Sequence, residues 1–181
     1  MDEIIGVVVD VCSRLESAGM PYMISGSLAA NMYAEPRFTN DADLVVQINV
    51  NQKRLLLSLF KSDYYISEIA IDDAFTGVGM FNIIHNKTLF KCDLILLKSD
   101  DFSQTAFKRR VKQTMEGIGL FFISVEDVIL QKALWRKESG SETQLRDIQR
   151  LIEHNKGKLD IPYCKEWISR LGLEESIGRF L

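Results

Sequence analysis

The chain has 181 residues, of which 46% are hydrophobic and 26% are charged, so it can bury a core without disulfide or metal staples. Its formal net charge of −3 excludes a protein that is basic overall, although a local basic patch for nucleic acid stays compatible with the sequence. The first residues lack the basic start of a signal peptide and no apolar run could cross a bilayer, so we expect a cytoplasmic protein that does not enter membranes.

Helices and strands alternate through the first 123 residues. Apolar residues between positions 3 and 18 recur with a helical period, and Gly19 ends that helix. The pairs Asn86-Lys87 and Glu116-Gly117 are typical of turns between strands. The further predicted elements are, in order, a strand over 21–25, a helix starting at Ser27, a loop over 35–40, a strand over 41–48, a helix over 51–60, a helix capped by Ser67, strands over 80–85 and 89–97, a helix over 103–110, and strands over 111–115 and 119–123.

The pattern is helical from Ser124 to the end of the sequence. Ser124 precedes two acidic residues, which place negative charge in a first helical turn. Two further helices are expected over about 141–155 and 161–171. The sequence therefore predicts an α+β fold, in which a core with a mixed β-sheet and flanking helices (residues 1–123) precedes a helical subdomain (residues 124–181).

Two aspartates begin an apolar strand, and a third lies inside another. Asp41 and Asp43 are two residues apart, so on a strand both carboxylates point to one face. Asp93 is the only acid in a run so apolar that it should be a central strand, where a lone carboxylate needs a partner. If the two strands are neighbours, the three carboxylates meet, and magnesium is a cation that such oxygen ligands hold.

Each part of this pattern also has an ordinary explanation. Two aspartates at the start of a strand are commonly a turn or a cap, and a single buried aspartate is commonly a hydrogen-bonded structural residue. The combination is more specific than either part.

A glycine turn precedes the acidic pair. The strand over 21–25 runs into Gly26 and Ser27, and a helix follows. Glycine lets the backbone approach a ligand closely, and a helix N-terminus offers free N–H groups that suit a phosphate. A capped helix after a tight turn is the alternative interpretation of the same residues.

The DNA polymerase β-like nucleotidyltransferase superfamily has three signatures that this chain resembles in order, spacing and strand context. They are Gly26-Ser27, the stretch RFTNDADLVV with Asp41 and Asp43, and Asp93 in its apolar strand. The stretches MFNIIHNKTLFKCDLILL and SVEDVILQKALWRK are similar to a bacterial branch that includes AbiEii-type toxins and minimal nucleotidyltransferases. The resemblance covers most of residues 20–155, although many such toxins have a second glycine where this chain has Ser25 or Ser27.

The resemblance implies a nucleotidyltransferase that uses two magnesium ions and a nucleoside triphosphate. Asp41 and Asp43 would bind both ions and Asp93 one of them, while Gly26 and Ser27 would hold the triphosphate. A hydroxyl of RNA, protein or a small molecule would attack the α-phosphate and release pyrophosphate. Membership of the toxin branch would further imply a cognate antitoxin. The alternative is a non-catalytic relative that binds nucleotide or a protein partner, although the three intact acids favour an enzyme.

Several cations are candidates for neutralising the triphosphate. Arg37 and Thr39 precede the acidic pair in a loop and could reach phosphate, with a solvated loop arginine as the alternative. Lys132 and Arg136 lie inside the apolar stripe of the helix that begins after Ser124. The family likeness favours Lys132 as a triphosphate contact, and a lysine that extends to the surface along apolar neighbours is the alternative.

Three further polar features have mainly structural interpretations. Asp147 could pair with Lys132 or Arg136, but we expect a solvated helix acid. His85 is expected to bond locally rather than act in catalysis. The basic residues between 108 and 112 could contact a nucleic-acid acceptor, but a solvated basic surface is the commoner meaning.

Overall fold

A seven-stranded mixed β-sheet forms the centre of the computed structural model, which describes residues 3–180. Short turns and crossovers join its strands, as the glycine and asparagine pairs in the sequence predict. The strands are β1 (Tyr22–Ser25), β2 (Asp41–Val46), β3 (Tyr64–Ile66), β4 (Met80–His85), β5 (Lys91–Leu96), β6 (Val111–Met115) and β7 (Ile118–Phe122).

Helices cover the sheet and make up the last third of the chain. Within residues 3–180 no helix is long and apolar enough to cross a membrane. The helices are α1 (Glu3–Ser17), α2 (Gly26–Ala30), α3 (Lys53–Phe60), α4 (Glu68–Asp73), α5 (Asp101–Lys108), α6 (Val125–Ser139), α7 (Glu142–His154), α8 (Ile161–Leu171) and α9 (Glu174–Ile177).

The sheet has the strand order β3-β4-β5-β2-β1-β7-β6. Strand β2 is parallel to β5 on one side and antiparallel to β1 on the other, and β1 is parallel to β7. The outer pairs β3-β4, β4-β5 and β6-β7 are antiparallel. Both predicted acidic strands are therefore central neighbours, and the α+β fold with a mixed sheet, flanking helices and a helical C-terminal part is confirmed.

The core is apolar, and serine and aspartate caps fix where several helices start. Helix α1 buries Val8, Val11 and Leu15 completely, which is the face that its helical period predicted. The Ser67 and Ser124 side chains each accept a hydrogen bond from a backbone N–H group in the first turn of α4 and α6, as their positions in the sequence predicted.

Two local predictions need correction. Helix α2 starts at Gly26 rather than at Ser27, and Ser25 is its N-cap residue. Strand β3 was not predicted, because Tyr64–Ile66 has only three residues and gains its place by pairing with β4. A three-residue strand carries too little alternation for its sequence to be recognised.

Candidate functional site

Three aspartates lie together on one face of β2 and β5. The two strands are parallel and in register, so Asp43 is directly opposite Asp93 and Asp41 is opposite Lys91. Paired residues on neighbouring strands lie about 4.8 Å apart, and residues two apart on one strand share a face. The register therefore brings together the three acids that the sequence singled out.

The surroundings of Asp43 favour its protonated form. Burial, followed by the nearby charges of Asp41 and Asp93, raises the pKa of Asp43 to about 6. Asp93 itself is only 6% exposed, and its Oδ1 atom accepts no hydrogen bond from the described residues. An ionised carboxylate with an unpartnered oxygen is costly to bury, so the cluster needs more positive charge than the chain places there.

Lys91 is a member of this cluster that the sequence analysis missed. Its Nζ atom lies 2.8 Å from Asp93 Oδ2 and 3.7 Å from Asp41 Oδ2. The hydrogen bond to Asp93 is the largest cause of the raised pKa of Lys91. The signal was present, because Lys91 is two residues before Asp93 on a strand and must share its face.

The Asp43 side chain occupies the space that a side chain at position 26 would need. A Cβ atom at Gly26 would overlap Asp43 Oδ2 and lie 2.7 Å from its Cγ. The residue also has a φ of 62°, which favours glycine. The turn after β1 is therefore in van der Waals contact with the acidic cluster, where its backbone can approach the same ligand.

The turn is also tied to helix α6. Ser25 Oγ donates a hydrogen bond of 2.6 Å to Gln131 Oε1. Ser25 is fully buried, so this bond satisfies a hydroxyl that would otherwise be unpaired. Gln131 was not predicted, since only the folded chain brings a residue of α6 to the end of β1.

A buried ionic network lies beside the turn and includes three of the predicted phosphate contacts. Arg37 Nη2 donates to Ser27 Oγ over 2.6 Å and lies 3.0 Å from Asp147 Oδ2. Lys132 Nζ lies 2.9 Å from the same Asp147 oxygen. We call Ser27, Arg37, Lys132 and Asp147 the buried ionic network. It connects the turn to helices α6 and α7 through one carboxylate.

The structure contradicts one expectation about this network, for Asp147, and one alternative interpretation, for Lys132. Asp147 is 5% exposed rather than solvated, because α7 packs against α6 and turns that side chain toward Lys132. Lys132 is fully buried and does not extend to the surface. Burial lowers the pKa of Lys132, whereas hydrogen bonds from Arg37 and Lys132 outweigh the effect of burial and lower the pKa of Asp147. The charge of Lys132 nevertheless reaches the acids, where it offsets part of the rise in the pKa of Asp43.

The other predicted residues are engaged locally. Thr39 Oγ1 donates to Asp41 Oδ1 over 3.2 Å and so orients that carboxylate. His85 Nδ1 is 2.9 Å from Thr88 Oγ1, so it has a local partner, as expected. In the basic stretch, Arg109 is 3.2 Å from Asp127 and stacks on Tyr163. Its side chain is therefore engaged within the fold rather than free in solvent.

Carboxylates are suitable ligands for magnesium, although they are not arranged here as a finished metal centre. Across residues 3–180, no group of three or more His, Cys, Asp or Glu side chains is placed ready to hold a metal ion. The unpartnered Asp93 oxygen and the hard oxygen donors of Asp41 and Asp43 still fit a divalent cation. Lys91 would have to move to admit one, since it contacts two of the acids.

Comparison with solved structures identifies the fold. An antigenic nucleotidyltransferase-like protein from Paracoccidioides brasiliensis is 20% identical, with a TM-score of 0.60 over 99% of this chain and 92% of its own. The antibiotic-resistance factor ANT(2″)-Ia is 11% identical, with a TM-score of 0.64 over the full length of both chains. A structure of ANT(2″)-Ia with adenylyl-2″-tobramycin has a TM-score of 0.61 at 10% identity, over 94% of this chain and 98% of its own.

A further similar structure is the lincosamide antibiotic adenylyltransferase LnuA with lincomycin bound. It is 12% identical, with a TM-score of 0.53 over 83% of this chain and 96% of its own. No protein-family model and no curated protein matches the chain. The chain therefore has a nucleotidyltransferase-like fold, and its acidic cluster lies on the two central parallel strands of that fold.

Proposed function

We propose that the protein is a magnesium-dependent nucleotidyltransferase, which moves a nucleoside monophosphate from a nucleoside triphosphate to a hydroxyl group. The observation that carries the proposal is the register of β2 and β5, which places Asp43 opposite Asp93. The pairing of β1 with β2 adds the contact between Gly26 and Asp43. The similar structures include adenylyltransferases, and their fold supports nucleotidyl transfer as the general reaction. The proposal extends that reaction to this chain.

In this proposal Asp41 and Asp43 would hold two magnesium ions and Asp93 one of them. Bound magnesium would supply the positive charge that stabilises the attacking and leaving oxygens of an in-line displacement. Thr39 holds the Asp41 carboxylate in orientation, and Gly26 leaves space for the Asp43 carboxylate. The chain's own contribution is to fix the carboxylates in position before the substrate arrives.

The group transfer balances without any further reactant. A new bond forms between the acceptor oxygen and the α-phosphorus, and the bond from that phosphorus to the bridging oxygen breaks, so that pyrophosphate leaves. In this proposal the hydroxyl proton passes to the carboxylate of Asp93.

The phosphates would lie at the turn after β1. The N-terminal N–H groups of α2 and the Ser27 hydroxyl are the proposed donors, with Arg37 and Lys132 as the adjacent cations. Both cations already bind Asp147. They would therefore attract the phosphates from a distance, or give up one hydrogen bond to Asp147 and donate it to a phosphate oxygen instead. The proposed core over residues 1–123 thus supplies the acids, and the proposed helical subdomain over residues 124–181 supplies Lys132.

The acceptor and the biological role are the more specific parts of the proposed function. The acceptor is an RNA, a protein or a small molecule, and the small-molecule case gains support from the lincomycin and tobramycin named for the similar structures. An AbiEii-like toxin with a cognate antitoxin, acting in the cytoplasm, rests on the sequence resemblance alone.

The second candidate function is a non-catalytic nucleotide-binding protein of the same fold. One observation favours it: Lys91 places an ammonium group against Asp93 and Asp41, where a metal ion would otherwise provide charge. Such a protein would bind a nucleoside triphosphate without releasing pyrophosphate.

Calorimetry and a product assay separate these two functions. The protein should bind a non-hydrolysable nucleoside triphosphate more tightly with magnesium than without it, and Asp41→Asn and Asp93→Asn should weaken that binding. With labelled triphosphate, magnesium and total cellular RNA, protein or small alcohols, the parent should release pyrophosphate, and either variant should be slower by about a hundredfold or more. The matched control is Asp73→Asn, at an exposed acid of α4, which should behave as the parent. Equal binding with and without magnesium would contradict the proposal.

A further inference from the structure

A cavity of about 440 Å³ opens beside the acidic cluster. Asp43 and Asp93 form part of its wall, and most of the remaining wall is apolar. Its volume is within the range of about 300–1,000 Å³ that small-molecule sites occupy. The apolar wall includes Met23, Val45, Ile95, Phe102, Leu134 and Trp135.

The cavity and the glycine turn lie on opposite sides of the Asp43–Asp93 pair. Val45 and Ile95 come two residues after the aspartates on their strands, so they share the face and lie about 6.6 Å further along it. Strand β1 runs the other way, so Met23 pairs with Val45 while Gly26 lies beyond the Ser25–Asp43 pair. Along the strands the order is therefore turn, acids, cavity.

This order distinguishes the two ends of an in-line displacement. The attacking oxygen and the leaving oxygen lie on opposite sides of the phosphorus, roughly in line. If the leaving pyrophosphate is held at the turn, the attacking hydroxyl must come from the far side of the acids. That side is the cavity, and Asp93 is part of the cavity wall.

Two exposed residues of the cavity lining are hydrophobic. Val78 is 67% exposed and Met80 is 38% exposed, although both are hydrophobic. Lys98 and Glu138 supply one positive and one negative group to the lining, so no strong field of one sign comes from outside the acids. A polycationic or highly polar molecule would lose water here without gaining enough polar partners.

We propose that this cavity binds the acceptor, and that the acceptor is a small amphipathic alcohol with an apolar body and at least one hydroxyl group. The apolar body packs on Leu134 and Trp135 while the hydroxyl group points toward Asp93. The inference rests on the proposed nucleotidyl transfer and specifies its acceptor. A concave and mostly apolar site of this size selects a compact molecule rather than the flat surface of a folded macromolecule.

Binding of two glucosides tests the proposal. Octyl glucoside below its micelle concentration and methyl glucoside have the same hydroxyl groups, and only the octyl compound has a long apolar body. Of the two tryptophans in the chain, Trp135 lines the cavity, so a Trp167→Phe background lets fluorescence report on Trp135 alone. Octyl glucoside should bind at least tenfold tighter than methyl glucoside.

Variants of α5 place the binding in the cavity. Ala106→Phe fills the cavity wall and should weaken octyl glucoside binding at least tenfold, and Ser103→Phe at the same wall repeats the test if the first variant does not fold. Thr105→Phe is the matched control, because Thr105 is on the same helix and not among the described residues that line the cavity. All three variants should bind a non-hydrolysable nucleoside triphosphate with magnesium as the parent does.

Three results would overturn the proposal. Equal affinity for the two glucosides would show that the cavity does not select an apolar body. Loss of triphosphate binding in Ala106→Phe or Ser103→Phe would assign the cavity to the nucleoside. A parent that binds octyl glucoside in the cavity but binds no triphosphate would contradict the proposed function as well, and would leave a ligand site without an acceptor role.

Discussion

The acidic cluster and the buried ionic network handle charge in opposite ways, although they lie side by side. In the network, the single carboxylate of Asp147 is matched by Arg37 and Lys132 at 3.0 and 2.9 Å. In the cluster, three carboxylates share one partly exposed ammonium group, that of Lys91. The network therefore has more positive than negative charge around one carboxylate, whereas the cluster has an excess of negative charge that a cation would balance. We infer that the network contributes mainly to stability, whereas the cluster leaves negative charge available to a ligand.

The largest effect is expected from removing the carboxylate of the buried ionic network. Asp147→Asn removes the charge that balances a fully buried Lys132, and leaving a buried charge unpaired costs about 3–5 kcal/mol. Urea unfolding should show a loss of that size, whereas Asp73→Asn, at an exposed acid, should stay within about 0.5 kcal/mol of the parent.

A second substitution checks that the loss comes from the ion pair. The double variant Asp147→Asn with Lys132→Met should recover part of the stability, because no unpaired lysine is then buried. If the double variant is no more stable than Asp147→Asn alone, the network does not hold its charges as described.

The next effect concerns the contact between the turn and the acids. Gly26→Ala should destabilise the protein by about 1–3 kcal/mol more than Gly19→Ala does, since overpacking against a fixed neighbour has that cost. The two glycines have φ values of 62° and 64°, but an added Cβ meets Asp43 only at position 26. Thermal unfolding of both variants measures the difference, and equal losses would mean that Asp43 does not pack on the turn.

A smaller effect is expected from the pH dependence of the metal-free protein. Asp43 has a pKa of about 6 in the folded state and near 4 when unfolded, so the folded state prefers its protonated form. The metal-free protein should therefore lose about 1–2 kcal/mol of stability as the pH rises from 4 to 6.

Asp43→Asn should abolish this part of the pH dependence. It should also make the metal-free protein more stable than the parent at pH 8, where the parent carries the buried charge. Urea unfolding at pH 4, 6 and 8 with a chelator present measures both effects. A parent whose stability rises steadily over this range relative to Asp43→Asn would show that the cluster is already neutralised.

The smallest effect is expected at Lys91, whose side chain is 38% exposed. An ion pair at that exposure is worth up to about 1 kcal/mol, so Lys91→Gln should raise the affinity for magnesium by up to about fivefold. Calorimetry with magnesium alone tests this, with Lys87→Gln at an exposed turn as the control. Weaker magnesium binding in Lys91→Gln would mean that the ammonium group does not compete with the metal.

Short-range patterns in the sequence were sufficient to predict the local features of this protein. Asp41 and Asp43 had to share a face because strand side chains alternate, and Ser67 and Ser124 had to start helices because a hydroxyl satisfies free N–H groups there. The apolar surroundings of Asp93 were enough to expect a central strand. The division at residue 123 and the roles of the site residues stay predictions.

Only the tertiary structure decided which of these residues meet. The register of β2 against β5 places Asp93 opposite Asp43 and brings Lys91 to Asp41, and no local pattern fixes a register between strands 50 residues apart. The packing of α7 on α6 buries Asp147 against Lys132, although its helix position alone indicated a solvated acid. The cavity is likewise formed by β-strands, α5 and α6 together. Spacing along one element is set by backbone geometry, whereas contacts between elements depend on how the whole chain buries its apolar surface.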